Sequence, residues 1–170
     1  MRLTEVRKML FFKKNKAQDD PVLCAPVTGK MIKLEDVPDP VFSSGTMGKG
    51  VGFQPSDGTV CAPCDGKIVM LAETLHAFGM ETTDGAEILV HIGLDTVDLN
   101  GEGFTKLASE GKKVRRGTPV ISVDLDLMKE KGIVMTTPMV VTTTDGFDLQ
   151  IHDCTDVIAG QTEVITCKKK

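Results

Sequence analysis

Histidine and cysteine carry most of the reactive chemistry open to this chain, which has three of the first and five of the second. His91 interrupts an apolar run, Glu87-Ile88-Leu89-Val90-His91-Ile92-Gly93. A polar ring in such a place either pairs with a buried group or faces a shallow apolar site. Periodicity alone favours the buried, satisfied ring. His76 follows Thr74 by two residues. On an extended strand those two side chains share a face, so the Thr74 hydroxyl is placed to orient the His76 ring. His152, next to Asp153 and Cys154, is assigned no role.

The cysteines are Cys24, Cys61, Cys64, Cys154 and Cys167, an odd number. The longest apolar stretch near the start, Met9-Leu10-Phe11-Phe12, gives way at once to Lys13-Lys14 and is too short for a secretory signal. Free thiols in the cytoplasm are therefore expected. A zinc centre would need a second ligand pair beside Cys61-x-x-Cys64, and none stands at recognisable spacing. Cys61 and Cys64 read as small apolar fillers.

The elements that must position these residues are short and mostly extended. Gly is plentiful, β-branched residues are frequent, and Trp and Tyr are absent. Strands are expected at 22–27, 30–34, 50–53, 59–62, 67–72, 77–81, 87–92, 119–124, 139–143, 148–152 and 163–166. Turn signals such as Thr28-Gly29, Asp65-Gly66, Asp84-Gly85 and Asp145-Gly146 punctuate them. Two helices are expected, over Glu102–Ser109 and Leu125–Lys131. This pattern predicts an all-β fold, an antiparallel sandwich or barrel with short helical turns. The hexapeptide Ala25-Pro26-Val27-Thr28-Gly29-Lys30 returns as Ala62-Pro63-Cys64-Asp65-Gly66-Lys67, which suggests a duplicated β-unit.

Charge divides the chain at about residue 20. Residues 1–16 hold Arg2, Arg7, Lys8, Lys13, Lys14 and Lys16 against Glu5, a net of +5. The other 154 residues hold 14 basic and 23 acidic side chains, a net of −9. An acidic body is a poor nucleic-acid binder and suits a basic protein partner. Residues 1–20 read as a basic arm, amphipathic or disordered, whose first 16 residues are candidates for peripheral contact with a membrane. Residues 21–170 form the expected domain.

The segment Gly85-Ala86-Glu87-Ile88-Leu89-Val90-His91-Ile92-Gly93-Leu94-Asp95-Thr96-Val97 resembles the phosphorylation-site signature of glucose-type IIA (EIIA) domains of the bacterial sugar phosphotransferase system. It agrees at every constrained position. Thr74-Leu75-His76-Ala77-Phe78 resembles the segment bearing that family's second active-site histidine. The stretches from Asp36 to Phe42 and from Gly48 to Pro55 resemble its flanking loop and strand. Leu75 departs from the family, many of whose members have a polar residue there. The similarity runs from Val22 to the C-terminus. It implies an antiparallel β-sandwich of duplicated hybrid motifs and a cytoplasmic phosphocarrier, a phosphotransferase component without cofactor. The group would come from phospho-HPr onto a histidine and leave to the cysteine of a IIB domain of a sugar permease.

Carried over to this chain, the resemblance implies that His91 takes the phosphoryl group through Nε2, as tele-phosphohistidine. His76 would stabilise the group and Thr74 would orient His76. From the residues themselves, Val41, Phe42, Phe78 and Val97, with Val51 and Leu89 beside them, read either as an apolar docking patch or as ordinary core, and Asp39, Asp95 and Asp98 either as its acidic ring or as solvated surface. No metal is required, although His76 and His91 together could collect an adventitious or regulatory zinc ion. Binding to regulated permeases or enzymes in the unphosphorylated state is the alternative role. A biotin- or lipoate-type carrier shares the pattern at Gly111–Val120, but no lysine stands in the hairpin context that such carriers need.

Overall fold

The computed structural model describes residues 19–170. Residues 1–18 of the basic arm expected over residues 1–20, and with them the membrane contact expected over residues 1–16, lie outside the described residues. Fourteen strands lie among the described residues: β1 (Val22–Cys24), β2 (Gly29–Lys33), β3 (Lys49–Pro55), β4 (Thr59–Cys61), β5 (Gly66–Leu71), β6 (Ala77–Glu81), β7 (Glu87–His91), β8 (Phe104–Lys106), β9 (Lys113–Val114), β10 (Pro119–Val123), β11 (Thr137–Val141), β12 (Phe147–Ile151), β13 (Asp156–Val157) and β14 (Glu163–Lys169). Two short helices join them, α1 (Pro40–Ser43) and α2 (Leu125–Glu130), with 3-10 turns at Leu34–Asp36 and Thr96–Leu99.

The principal sheet has eight strands in the order β13-β2-β3-β11-β7-β6-β5-β9. Two three-stranded sheets, β1-β14-β12 and β4-β10-β8, complete the sandwich. Every strand pair is antiparallel. The core is apolar, with Leu23, Phe53, Ile68, Phe78, Met80, Ile121 and Ile165 fully enclosed. Leu23 and Ile165, far apart in sequence, face each other in the β1–β14 pair. The expected sandwich is the observed one.

The repeated hexapeptide shows its reason here. Cys24 N–H donates to the Pro63 carbonyl at 2.7 Å, and Cys61 N–H donates to the Pro26 carbonyl at the same distance. Equivalent positions of the two copies thus bond reciprocally, about a pseudo-twofold axis. The symmetry continues outward, since Ala25 N–H meets the Thr162 carbonyl at 2.9 Å and Ala62 N–H meets the Thr118 carbonyl at 2.8 Å. Gly29 and Gly66, equivalent within the repeat, each press a backbone against a neighbouring strand. A Cβ would lie 2.1 Å from the Gln54 carbonyl oxygen at the first and 2.4 Å from that of Glu81 at the second.

One expected element is absent. Glu102–Ser109 is not a helix: a turn at Gly101–Gly103 leads into β8, which pairs with β10. Gly101 and Gly103 hold φ of 88° and 85°, left-handed values that end helical pairing before it starts. The second expected helix is present as α2, capped by Asp124 Oδ1 accepting the Leu127 N–H at 3.1 Å.

Candidate active site

His91 ends β7, whose Ile88 and Val90 are buried while Glu87 and Leu89 face outward. Period-two alternation therefore puts His91 on the outer face of the sheet with Leu89. That face is covered by the 34–45 segment, where Val37, Phe42, Leu94 and Val140 form a small second core. The imidazole lies at its margin, half-buried, with the Phe42 ring centroid 5.1 Å away at 57°. An apolar run could thus hold a reachable histidine, because only alternate residues of it enter the main core.

His91 Nδ1 lies 2.7 Å from the Gly93 carbonyl oxygen. A carbonyl can only accept, so Nδ1 carries the proton and Nε2 keeps its lone pair. Nε2 has no protein partner among the described residues, and no buried side-chain nitrogen or oxygen there is left unpaired, so Nε2 is open to solvent.

The carbonyl of Gly93 is held with care. Gly93 has φ 74°, and a Cβ there would meet Thr96 Cγ2 at 2.6 Å and Met135 Sδ at 2.9 Å. Buried Thr96 donates its hydroxyl to the Ile92 carbonyl at 2.6 Å, and Leu94 N–H reaches the Val134 carbonyl at 2.9 Å.

The second imidazole comes from the neighbouring strand. Ala77 is opposite His91 in the β6–β7 register, and Ile92 N–H donates to the His76 carbonyl at 2.7 Å. The two rings meet edge to face, centroids 5.2 Å apart at 74°. Thr74 Oγ1 is 2.5 Å from His76 Nδ1. This contact does not arise from a shared strand face. Residues 74–76 form the corner between β5 and β6, and Leu75 at its tip has φ 59°. A leucine in left-handed geometry costs about 1–2 kcal/mol, offset here by the Leu75 N–H to Ala72 carbonyl bond of 2.8 Å and by packing on the core.

Burial lowers the pKa of His91 below the ordinary histidine value, against smaller raising effects of the Gly93 hydrogen bond and the charges of Asp39 and Asp95. Burial also lowers that of His76, helped by the neighbouring His91. Both rings are therefore neutral at pH 7, the state in which imidazole is a nucleophile or a hydrogen-bond donor.

The residues expected at the docking patch divide. Val41 and Val97 are 52% and 47% exposed and stand at the rim, with Asp95 exposed and Asp39 half-buried. Asp39 also caps α1, its Oδ1 accepting the Val41 N–H at 3.0 Å. Phe42 is buried and forms a wall of the site. Phe78 is a correction: it is fully buried, opposite Val90 on the inward face of β6, and cannot touch a partner. Val51 is likewise enclosed by its strand neighbours. Val134, 51% exposed and tied to Leu94, joins the rim. It went unread because nothing in Gly132-Ile133-Val134 separates a rim residue from a core one.

The remaining nucleophilic and ligating groups offer nothing comparable. Burial pushes the Cys64 thiol up to about 12 and that of Cys167 to about 11, which leaves them protonated and inert. Among the described residues no three His, Cys, Asp or Glu side chains cluster as a metal site.

Residues 22–147 match the family described as phosphoenolpyruvate-dependent sugar phosphotransferase system, EIIA 1. The chain is 42% identical over 159 residues to a Staphylococcus aureus glucose-specific EIIA component, covering 93% of this chain and 96% of that one. It is 41% identical over 162 residues to the Haemophilus influenzae component of the same description, covering 95% of this chain and 97% of the relative. Among solved structures, the glucose permease IIA from Mycoplasma capricolum superposes with a TM-score of 0.80 at 36% identity, over 85% of this chain and 94% of that one. A solvent-facing imidazole lone pair beside a second neutral imidazole, on a sandwich of this topology, agrees with these relationships: the chain belongs to the EIIA 1 family of the phosphoenolpyruvate-dependent sugar phosphotransferase system, whose members are phosphocarriers in sugar uptake.

Proposed function

We propose that this chain carries its phosphoryl group on Nε2 of His91, receiving it from phospho-HPr and passing it to the cysteine of a IIB domain in the cytoplasm. The observation that carries the reading is the 2.7 Å contact between His91 Nδ1 and the Gly93 carbonyl, which fixes the tautomer and aims the free lone pair outward.

Phosphoryl transfer leaves the protein little to do beyond positioning and electrostatic stabilisation. His91 Nε2 attacks in line as the donor's N–P bond breaks. The Gly93 carbonyl keeps the proton on Nδ1, so the phosphorylated ring retains cationic character and remains a good leaving group. With the Thr74 hydroxyl donating to its Nδ1, His76 holds its own proton on Nε2 and donates it to a phosphoryl oxygen. Loss of one such donor costs about 2.7–4 kcal/mol in comparable sites. Val41, Val97 and Val134 form the apolar rim against which a flat partner closes, and closure excludes the water that would hydrolyse phosphohistidine. Asp39 and Asp95 meet the basic residues of that partner. No step calls for a metal.

Incubation with phosphoenolpyruvate, enzyme I and HPr tests the reading. The full chain acquires one acid-labile label, His91→Gln acquires none, and His76→Gln accepts the group but fails to deliver it to a IIB domain. Normal labelling of His91→Gln would overturn the assignment.

A further inference from the structure

The Gly93 carbonyl that accepts the His91 Nδ1–H is itself held by β11 and the residues just before it. Its peptide plane is pinned by the Leu94 N–H, which donates to the Val134 carbonyl at 2.9 Å. The preceding plane ends in the Gly93 N–H, which donates to Thr137 Oγ1 at 3.4 Å. Thr137 has a single hydroxyl proton, and it goes to the Met135 carbonyl at 2.9 Å. Toward Gly93 the same oxygen can then only accept, which suits an N–H donor. Met135 in turn packs its sulfur 2.9 Å from where a Cβ of residue 93 would stand. One buried hydroxyl thus ties the turn after His91 to the segment that packs against it.

Thr137 is fully enclosed, at the first position of β11 and opposite Phe53 on β3. A hydroxyl buried so completely costs free energy unless it is bonded, and valine would fill such a strand position without that cost. The pairing of β7 with β11 stops at Val90–Met139. The next residues are His91 on one strand and Pro138 on the other, and proline has no N–H with which to extend the ladder. The Thr137 hydroxyl takes over where the main-chain ladder leaves off.

Resting on the assignment of His91 as acceptor, we propose that Thr137 is a positioning residue for phosphoryl transfer, its hydroxyl holding the Gly93 turn so that the proton stays on His91 Nδ1. Thr137 acts through Gly93 and not on the phosphoryl group. The step keeps its balance: the donor's N–P bond breaks as the Nε2 lone pair bonds phosphorus, and no proton leaves Nδ1. A slackened turn lets the neutral ring carry its proton on Nε2 for part of the time, and a ring in that state has no lone pair with which to attack. The fraction of competent rings falls, while the rim formed by Val41, Val97 and Val134 keeps its side chains. The loss therefore falls on the rate at saturating phospho-HPr and not on the donor concentration that half-saturates it. A residue that only fills space behaves otherwise. Thr137→Val keeps the shape and Thr137→Ser leaves a methyl-sized gap, so a purely structural role makes Thr137→Ser the more damaging change.

The experiment compares the full chain with Thr137→Val, Thr137→Ser and Thr137→Ala. It reads the initial rate of labelling over a range of phospho-HPr concentration, and the ring nitrogen chemical shifts of His91 at about pH 8, above the ordinary histidine value. Thr137→Val lowers the saturating rate about tenfold, the scale of one hydrogen bond whose buried partner is left unpaired. Its half-saturating concentration is unchanged, and its shifts show a share of Nε2–H. Thr137→Ser melts earlier yet keeps the Nδ1–H signature and a saturating rate within about twofold of the parent, because the hydroxyl is still there. Thr137→Ala differs from Thr137→Ser by the hydroxyl alone and loses rate as Thr137→Val does, so this pair decides the matter if Thr137→Val fails to fold. A parental rate and an undisturbed Nδ1–H signature in Thr137→Val, or equal rates in Thr137→Ser and Thr137→Ala, overturn the inference alone, provided that His91→Gln takes no label. Label retained in His91→Gln removes the assignment of the acceptor and the inference with it.

Discussion

His91 and His152 are the same ring in nearly the same hydrogen-bonding arrangement, with opposite outcomes. Each has Nδ1 against a backbone carbonyl, that of Gly93 at 2.7 Å for the first and that of Glu163 at 3.0 Å for the second. The difference lies at the other nitrogen. His152 Nε2 meets Thr166 Oγ1 at 2.8 Å across the β12–β14 pair, which uses up its lone pair. His91 Nε2 faces solvent, and the nearest polar ring, His76, stands beside it without capping it. A histidine becomes a candidate nucleophile here through one unfilled acceptor position on a ring otherwise fixed in place. His152 fills both positions and serves the sheet.

The largest expected effects break the arrangement at His91. Gly93→Ala would drive a methyl into Thr96 and Met135 and strain a φ of 74°, turning the carbonyl away from Nδ1. Phosphoryl acceptance from phospho-HPr should fall at least about a hundredfold, the scale of losing an electrostatic catalytic contact. The chain should also melt earlier, by several degrees. Acceptance at the parental rate would show that the tautomer is fixed by something else.

Acidification comes next. Both rings of the pair have pKa values pushed below 6.5, largely by burial. Their neutral forms therefore persist below the pH at which a free histidine protonates. Acceptance rates should stay level from pH 8 to about 6.5, the ordinary histidine value, and fall only below it. Stability follows the same sign, since the unfolded chain binds these protons more readily than the folded one. The pair's contribution is present above about 6.5 and is lost as pH falls through the folded values. Rates that halve above pH 6.5 would contradict the lowered values.

Thr74→Val removes the contact to His76 Nδ1 while keeping shape. Delivery to a IIB domain should slow about fivefold, the worth of one neutral hydrogen bond, and labelling of His91 should be nearly unaffected. An equal loss in both half-reactions would mean that Thr74 acts on the fold and not on His76. The smallest effect sharpens the contrast between the two histidines. His152→Gln should leave labelling at the parental level and lower stability by about 1 kcal/mol, measured by denaturant unfolding. A drop in labelling there would break the distinction between an open and a filled acceptor nitrogen.

Much of this was legible in the chain itself. Alternation and glycine-marked turns located the long strands, and the Gly85–Val97 signature singled out His91 against a periodicity that argued for burial. The conflict resolves because Ile88, Val90 and Ile92 pack on the main core while Leu89, on the face that His91 shares, packs on a second, smaller one. Sequence periodicity cannot separate two apolar environments. β8, β9 and β13 are two or three residues long and leave no repeat to detect. Helix α1 did leave a trace, Asp39-Pro40, an N-cap followed by a first-turn proline. The Thr74–His76 pairing was anticipated for the wrong reason, as a shared strand face. It depends on a left-handed leucine, which no propensity would have chosen. Phe78 was misplaced because an aromatic near a candidate histidine looks the same in sequence whether it turns inward or outward.

The pairing of β1 with β14 bears on how such a protein is made. The strands that carry both imidazoles, β5 to β7, are consecutive hairpins and can associate as soon as they are synthesised. The sheet that seals the core needs residues 22–24 to meet residues 163–166, so it must wait for nearly the whole chain to emerge. A ribosome-bound chain can therefore begin to pair the strands that carry the two rings before its interior is sealed. Removal of residues 163–170 should leave β5 to β7 their own partners while taking away the strand that β1 and β12 pair with.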